Sequence, residues 1–420
     1  MNIMEFPFPR LLPQGKFPEH TDANLLGHAR MDRFALLNLL LHAMVLLVGA
    51  GIGSFLNVVI YRLPLGISVN NPKRSFCPSC KKQIAWYHNL PVITWLMLRG
   101  KCASCGTGIS FRYFFVEVLT AALFYAAFLH TTTMFGNPWP FISLWGPVTV
   151  SLWIFLALLV AGTFIDIDHF ILPHEITIGG MVVGILCSFW APSMVEQETH
   201  MMGLLISFLS AALGLGLLWS VVELGKIAFG SLKHHFDEPA PWKITQTGDD
   251  PPVLTVRIDG EDVPHAWEEI FNREKDRLVI TGPELAVNDR TWSNAIADIT
   301  MDVLRVKQNA KDKAEEIQWD GVKKLEGQAT SIVIPREAMG LGDVFFIAMI
   351  GAFTGWKGVV FTIFAASILG SIFALVPRLF GKAEWTAKIP FGPYLAGGAV
   401  IWVFYGPQWL NWYLDRTTLQ

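Results

Sequence analysis

Apolar positions along this chain fall into long uninterrupted runs, at about 34–61, 113–130, 143–165, 176–191, 201–224, 343–356, 358–377 and 391–410. A helix that crosses the hydrocarbon of a bilayer needs about 20 mostly apolar residues. The pattern predicts an all-α polytopic membrane protein with about eight transmembrane helices. Several runs are rich in Gly and Ala, which lets membrane helices approach closely. Only a short turn around Trp356 and Lys357 separates the sixth run from the seventh.

Between residues 231 and 335 the pattern changes. This stretch holds 13 of the chain's 32 Lys/Arg and 20 of its 35 Asp/Glu, a density that places it outside the bilayer. Val253–Ile258 and Arg277–Ile280 read as strands, and roughly 295–326 reads as a helix. Its 105 residues can bury a core of their own, making a soluble α+β insertion; the alternative is a partly disordered spacer. Pro239, Pro241, Pro251 and Pro252 point to a stiff tether at its start. The chain then divides into an N-terminal tail (1–33), a first span (34–61), a cysteine-bearing loop (62–112), a membrane segment (113–230), the insertion (231–335) and a closing membrane segment (336–420).

Composition narrows this further. Hydrophobic residues make up 52% and charged residues 16%, against about 25% charged in an ordinary soluble domain. The partner this implies is a lipid bilayer, and no Lys/Arg run suggests nucleic acid. The first 33 residues mix Pro, acids and bases before any apolar core, so no cleavable signal is expected and the first span acts as an uncleaved anchor. Cytoplasmic loops carry an excess of Lys and Arg. Segment 62–112 holds eight: Arg62, Lys73, Arg74, Lys81, Lys82, Arg99, Lys101 and Arg112. The tail before the first span holds four, so its expected place is outside and that of the loop is the cytoplasm.

Within that loop, Cys77-Pro-Ser-Cys80 and Cys102-Ala-Ser-Cys105 are two C-x2-C pairs separated by 21 residues. Each pair sets two thiolates on one knuckle, and two knuckles complete a tetrahedral all-thiolate zinc site of the zinc-ribbon kind. Such a site has no open position, so its zinc is structural. Two disulfides are the alternative, which a reducing cytoplasm opposes. Cys187 lies alone in an apolar run and is read as packing.

Ionisable groups at membrane depth are costly and mark function by default. Asp166, with Asp168 two positions on, closes the third run, and Gly340-Leu-Gly342-Asp343 opens the sixth. Asp166 follows three spans and Asp343 five, so both belong to one face, the cytoplasmic one. Two neighbouring carboxyl groups do not easily both ionise. One can then take a proton from water while the other donates to a scissile carbonyl. The bland alternative is that each acid merely caps a helix end.

These residues resemble the type IV prepilin peptidases, relatives of the GxGD membrane aspartyl proteases. The resemblance rests on Gly340-Leu-Gly-Asp343, Gly351-Ala-Phe-Thr-Gly-Trp356 and Pro390-Phe-Gly-Pro-Tyr394. It rests also on Gly53 to Pro64, Trp86-Tyr-His-Asn-Leu-Pro91, Leu98-Arg-Gly100, the four cysteines and Arg112-Tyr113. It implies a bacterial inner-membrane endopeptidase that removes the basic leader from prepilins of type IV pili or pseudopilins of type II secretion. The resemblance maps the catalytic pair onto Asp166, seven residues before Pro173, and Asp343, with Gly340, Gly342 and Asp168 in support. It also implies N-methylation of the new terminus from S-adenosylmethionine. Two departures stand out: Phe345 occupies a position where the family usually has Lys, and the 231–335 insertion is atypical. A non-proteolytic membrane assembly or transport component with the same fold is the rival reading.

Overall fold

The computed structural model describes residues 23–71, 75–77, 79–85, 87, 90–135, 146–229, 231–246, 252–258, 260–271, 276–308, 314–322, 324–335, 340–379 and 389–417. Most of the N-terminal tail, residues Trp86, His88 and Asn89 of the Trp86-to-Pro91 motif, and the basic residues Lys73, Arg74, Lys382 and Lys388 lie outside them. The chain divides into two compact units, Met1–Asn57 with Arg74–Thr133, and Val58–Lys73 with Met134–Gln420.

In the first unit the long helix α1 (Ala23–Arg62) packs on α3 (Phe111–Phe135). Gly49 and Gly53 allow this approach: a Cβ on either would lie 2.7 Å from the Cα of Ala121 or Glu117. His42 Nδ1 meets the Tyr125 hydroxyl at 3.0 Å on the same interface. Between the two helices runs the cysteine loop, which carries the short helix α2 (Ile93–Met97). Glu117 holds that loop by accepting the Val92 N–H at 2.6 Å.

In the second unit α4 (Gly146–His169), α5 (His174–Trp190) and α6 (His200–Phe229) pack with α8 (Leu341–Leu379) and α9 (Gly392–Thr417). α8 is two helices. Gly355 breaks it at φ 72 and ψ 176. Eight residues of unbroken helix span about 12 Å, yet Val359 Cγ2 lies 2.7 Å from where Gly351 would carry a Cβ. The chain therefore folds back here, one residue before the expected turn. Carbonyls in the last turn of a helix lack intrahelical partners. Ser188 of α5 and Ser207 of α6 both donate to the Ala352 carbonyl, at 2.8 and 2.7 Å. Beyond the break, Lys357 pairs with Glu196.

Among the described residues five helical stretches are long and apolar enough to cross a membrane: Leu36–Arg62, Phe111–Thr133, Gly146–His169, His200–Gly225 and Leu341–Val376. The chain is thus a multi-pass membrane protein, but the count of eight is not reached by this measure. α5 has only 17 residues, about 25 Å of helix against a 30 Å hydrocarbon core. α9 carries Pro407, Gln408 and Asn411 in its second half.

The described residues of the insertion form neither a structureless spacer nor a balanced α+β domain. They make one antiparallel eight-stranded sheet, in spatial order β3-β2-β1-β8-β4-β5-β6-β7. Its strands are β1 (Ser231–Thr245), β2 (Val253–Ile258), β3 (Glu261–Ala266), β4 (Leu278–Val287), β5 (Arg290–Ile299), β6 (Val303–Lys307), β7 (Glu315–Gln318) and β8 (Leu325–Pro335), with one helical turn, α7 (Trp267–Ile270). The helix expected over 295–326 is wrong. Ala295, Ala297 and Ile299 are buried on β5, and Leu304 and Val306 on β6, a period of two. Charges on the exposed side of these strands form cross-strand ion pairs, such as Arg305 with Glu316 at 2.8 Å. Buried residues of every strand except β3 and β7 join one core around Trp242, Leu254, Phe271 and Ile280. β1 and β8 pair from Ser231 opposite Pro335, next to the end of α6.

Candidate active site

The end of α4 sorts its two aspartates by helical geometry. Ile165 and Asp166 face inward and are buried, whereas Ile167, Asp168 and His169 are exposed. Phe170 closes the helix with a positive φ of 55 and donates its N–H to the Asp166 carbonyl at 2.9 Å. The chain then turns so that Leu172 packs inward at 8% exposure, and Pro173 starts α5.

Asp343 sits in the first turn of α8, where the helix dipole favours an acid. Val344, Phe346 and Ile347, which follow it, are buried and anchor that turn. Asp343 is 9% exposed, and its Oδ1 meets no hydrogen-bond partner among the described residues. Asp166 and Asp343 lie within electrostatic reach of one another. Leu172 is wedged beside both: it touches the position a Gly342 Cβ would take at 2.9 Å and that of Gly392 at 3.3 Å. Asp166 Oδ2 accepts the N–H of Gly392, the first residue of α9, at 2.9 Å.

The structure thus brings together Asp166, Asp343, Gly340 and Gly342, and leaves Asp168 on the exposed side of its helix. Sequence reasoning did not single out Leu172 or the role of Gly392. The signal for Gly392 was present in Pro390-Phe-Gly-Pro-Tyr394, which puts glycine at a helix start, but no local rule says what that glycine faces. Phe345 packs edge-on against His174, with ring centroids 5.6 Å apart. Buried carboxyl groups that feel each other, on a surface shaped by glycines, are suited to proton transfer to and from a bound water and an extended backbone.

The four cysteines form a second centre. Their sulfurs all lie within 4.8 Å of one another, Cys77 to Cys105 at 3.9 Å. Zn–S bonds of about 2.3 Å imply S···S separations of about 3.8 Å in a tetrahedron, so the cluster fits a metal ion. The two knuckles repeat one design. Cys77 N–H donates to Lys82 O at 3.0 Å and Cys102 N–H to Thr107 O at 2.8 Å. Lys81 and Gly106 occupy equivalent left-handed positions, at φ 57 and 72. The Thr107 hydroxyl, 3.3 Å from Cys105 Sγ, helps hold that thiol down at about 6.

The family profile described as Bacterial Peptidase A24 N-terminal domain matches residues 47–131, and that of the Type IV leader peptidase family matches 153–235 and 327–375. The chain belongs to the type IV leader peptidase family. Among its relatives, the prepilin leader peptidase/N-methyltransferase of Myxococcus xanthus is 39% identical over 183 residues, 44% of this chain and 50% of that protein. That of Dichelobacter nodosus is 35% identical over 205 residues, 43% of this chain and 65% of the relative. The chain therefore spans between half and two thirds of these two relatives. That of Aeromonas salmonicida (strain A449) is 25% identical over 397 residues, 89% of this chain and 94% of the relative. No solved structure matches this chain significantly. This family member departs from the profile between 235 and 327. The gap opens where β1 shifts register, between His235 and Ala240, so the paired feet of β1 and β8 lie within the matched segments.

Proposed function

We propose that this chain is a membrane aspartyl endopeptidase that removes the leader of prepilins or pseudopilins, with Asp166 and Asp343 as its acid–base pair. The observation that carries the reading is the burial of both carboxyl groups within reach of each other around Leu172. One carboxylate takes a proton from water, and the resulting hydroxide attacks the scissile carbonyl carbon. The other carboxyl gives its proton to the carbonyl oxygen. The tetrahedral species collapses by breaking the C–N bond, with a proton passing to the leaving amine. Gly340 and Gly342 leave room for an extended substrate backbone.

The chain crosses the bilayer eight times in this reading: α5, α9 and both halves of α8 count as spans. The hydrogen bond from Gly392 to Asp166 supports it. α9 must begin on the face where α4 ends, which requires α8 to cross and return. That face is the cytoplasmic one, by the Lys/Arg excess of 62–112. The cysteine cluster holds a structural zinc, with Cys77, Cys80, Cys102 and Cys105 as ligands. The names of the relatives support a second activity, N-methylation of the new terminus, for which S-adenosylmethionine supplies the methyl group.

Co-expression with a prepilin tests the reading. The intact chain converts the precursor to its shorter form and Asp343→Ala does not. Equal conversion by both would favour the rival, a membrane assembly or transport component without protease chemistry.

A further inference from the structure

The start of α9 has one polar engagement with the aspartate pair. Gly392 N–H, among the first groups of a helix whose amides lack intrahelical acceptors, points at Asp166 Oδ2 across 2.9 Å, and the bond is buried. The partner is 226 positions away in sequence. The approach leaves no space for a side chain. A Cβ on Gly392 would stand 2.6 Å from Oδ2, 3.2 Å from Cγ and 3.3 Å from Leu172 Cδ1. From α8 the group facing Asp166 is the Asp343 carboxyl, and from α9 it is this amide.

We propose that Gly392 is a positioning residue of the aspartate pair: its amide fixes one carboxylate oxygen of Asp166 and leaves the other as the oxygen that works on water. This deepens the peptidase reading and rests on it. An amide donor can bond only to a lone pair, so a proton shared by the pair cannot sit on that side of Oδ2. A carboxylate free to rotate about χ2 would present either oxygen. The amide bond selects one, and the helix dipole of α9 reinforces it. Leu172 Cδ1 lies on the same side, 3.3 Å from the point a Gly392 Cβ would take, and lines the approach of the amide to this oxygen.

Gly392→Ala is the test, with Gly397→Ala as control. Gly397 lies on the same helix, and its nearest contact for an added Cβ is Leu369 Cδ1 at 3.4 Å, an ordinary separation. In Gly392→Ala, kcat falls about 10- to 100-fold, the effect of losing one hydrogen bond to a charged group, while KM stays within about twofold. The infrared carboxyl band assigned to Asp166 by its absence in Asp166→Asn shifts in Gly392→Ala and not in Gly397→Ala. Should Gly392→Ala fail to insert, the Gly392 amide resonance in 15N-glycine-labelled intact protein is compared with that of Asp166→Ala, and it moves. An unmoved band and resonance, or a loss confined to KM, would overturn the proposal. If the intact chain cleaves no prepilin, the peptidase reading fails instead, and the spectra still decide what Gly392 does.

Discussion

Leu172 stands with its Cβ 2.9 Å from the point where a side chain on Gly342 would begin. A residue of the turn between α4 and α5 thereby fixes how closely the turn bearing Asp343 approaches Asp166. Gly342→Ala pushes the two apart and lowers cleavage at least about tenfold, since small displacements of a reacting group are costly. Leu172→Ala keeps the Cβ that makes this contact and does not rescue it. Rates of the single and double variants on one prepilin check this, and rescue by Leu172→Ala would show that the contact is not limiting.

Asp166 is buried and Asp168 exposed on the same helix end. Asp166→Asn abolishes cleavage in a protein that still inserts, and Asp168→Asn retains most of it. Normal cleavage by Asp166→Asn with loss in Asp168→Asn would reverse the assignment.

At their one left-handed position the cysteine knuckles carry different residues, Lys81 against Gly106. A non-glycine residue there costs about 1 kcal/mol. Purified protein carries one zinc per chain, as elemental analysis will show. Cys77→Ser or Cys102→Ser loses the metal, and acid releases it because protons compete for the thiolates. Lys81→Gly raises the melting temperature by a few degrees.

Ser188 and Ser207 share one acceptor, the Ala352 carbonyl. Either serine alone leaves it satisfied, so Ser188→Ala and Ser207→Ala each cost less than about 1 kcal/mol. The double variant leaves a buried carbonyl without these donors and costs about 1–3 kcal/mol more than the sum. Unfolding in detergent measures the cycle, and strict additivity would mean another donor replaces them.

The sheet of the insertion has its own core, and the dyad contacts named above all come from α4, α8, α9 and Leu172. Replacing 240–328 by a short Gly/Ser linker keeps the feet of β1 and β8 and leaves prepilin cleavage reduced but measurable. Complete loss in a stably inserted variant would mean that the sheet forms part of the active site.

Sequence alone determined the features that depend on local or one-dimensional properties. Apolar runs predict spanning helices because hydrocarbon demands length and hydropathy, whatever the neighbours. The paired C-x2-C knuckles predict a metal centre because each is a local turn. Span parity predicts that Asp166 and Asp343 share a face. The β5–β7 region escaped this reading: its strands are short and their period of two is completed only by pairing with neighbouring strands in the sheet. The resemblance had already set Asp166 ahead of Asp168; the tertiary structure supplied the physical reason, burying Asp166 and exposing Asp168, which depends on where α4 ends and how Phe170 turns the chain. It also decided that α8 folds back at Gly355 and so returns the chain to place the Gly392 amide on Asp166. A hydrogen bond between residues 226 positions apart has no local signature; it exists only once the helices have packed.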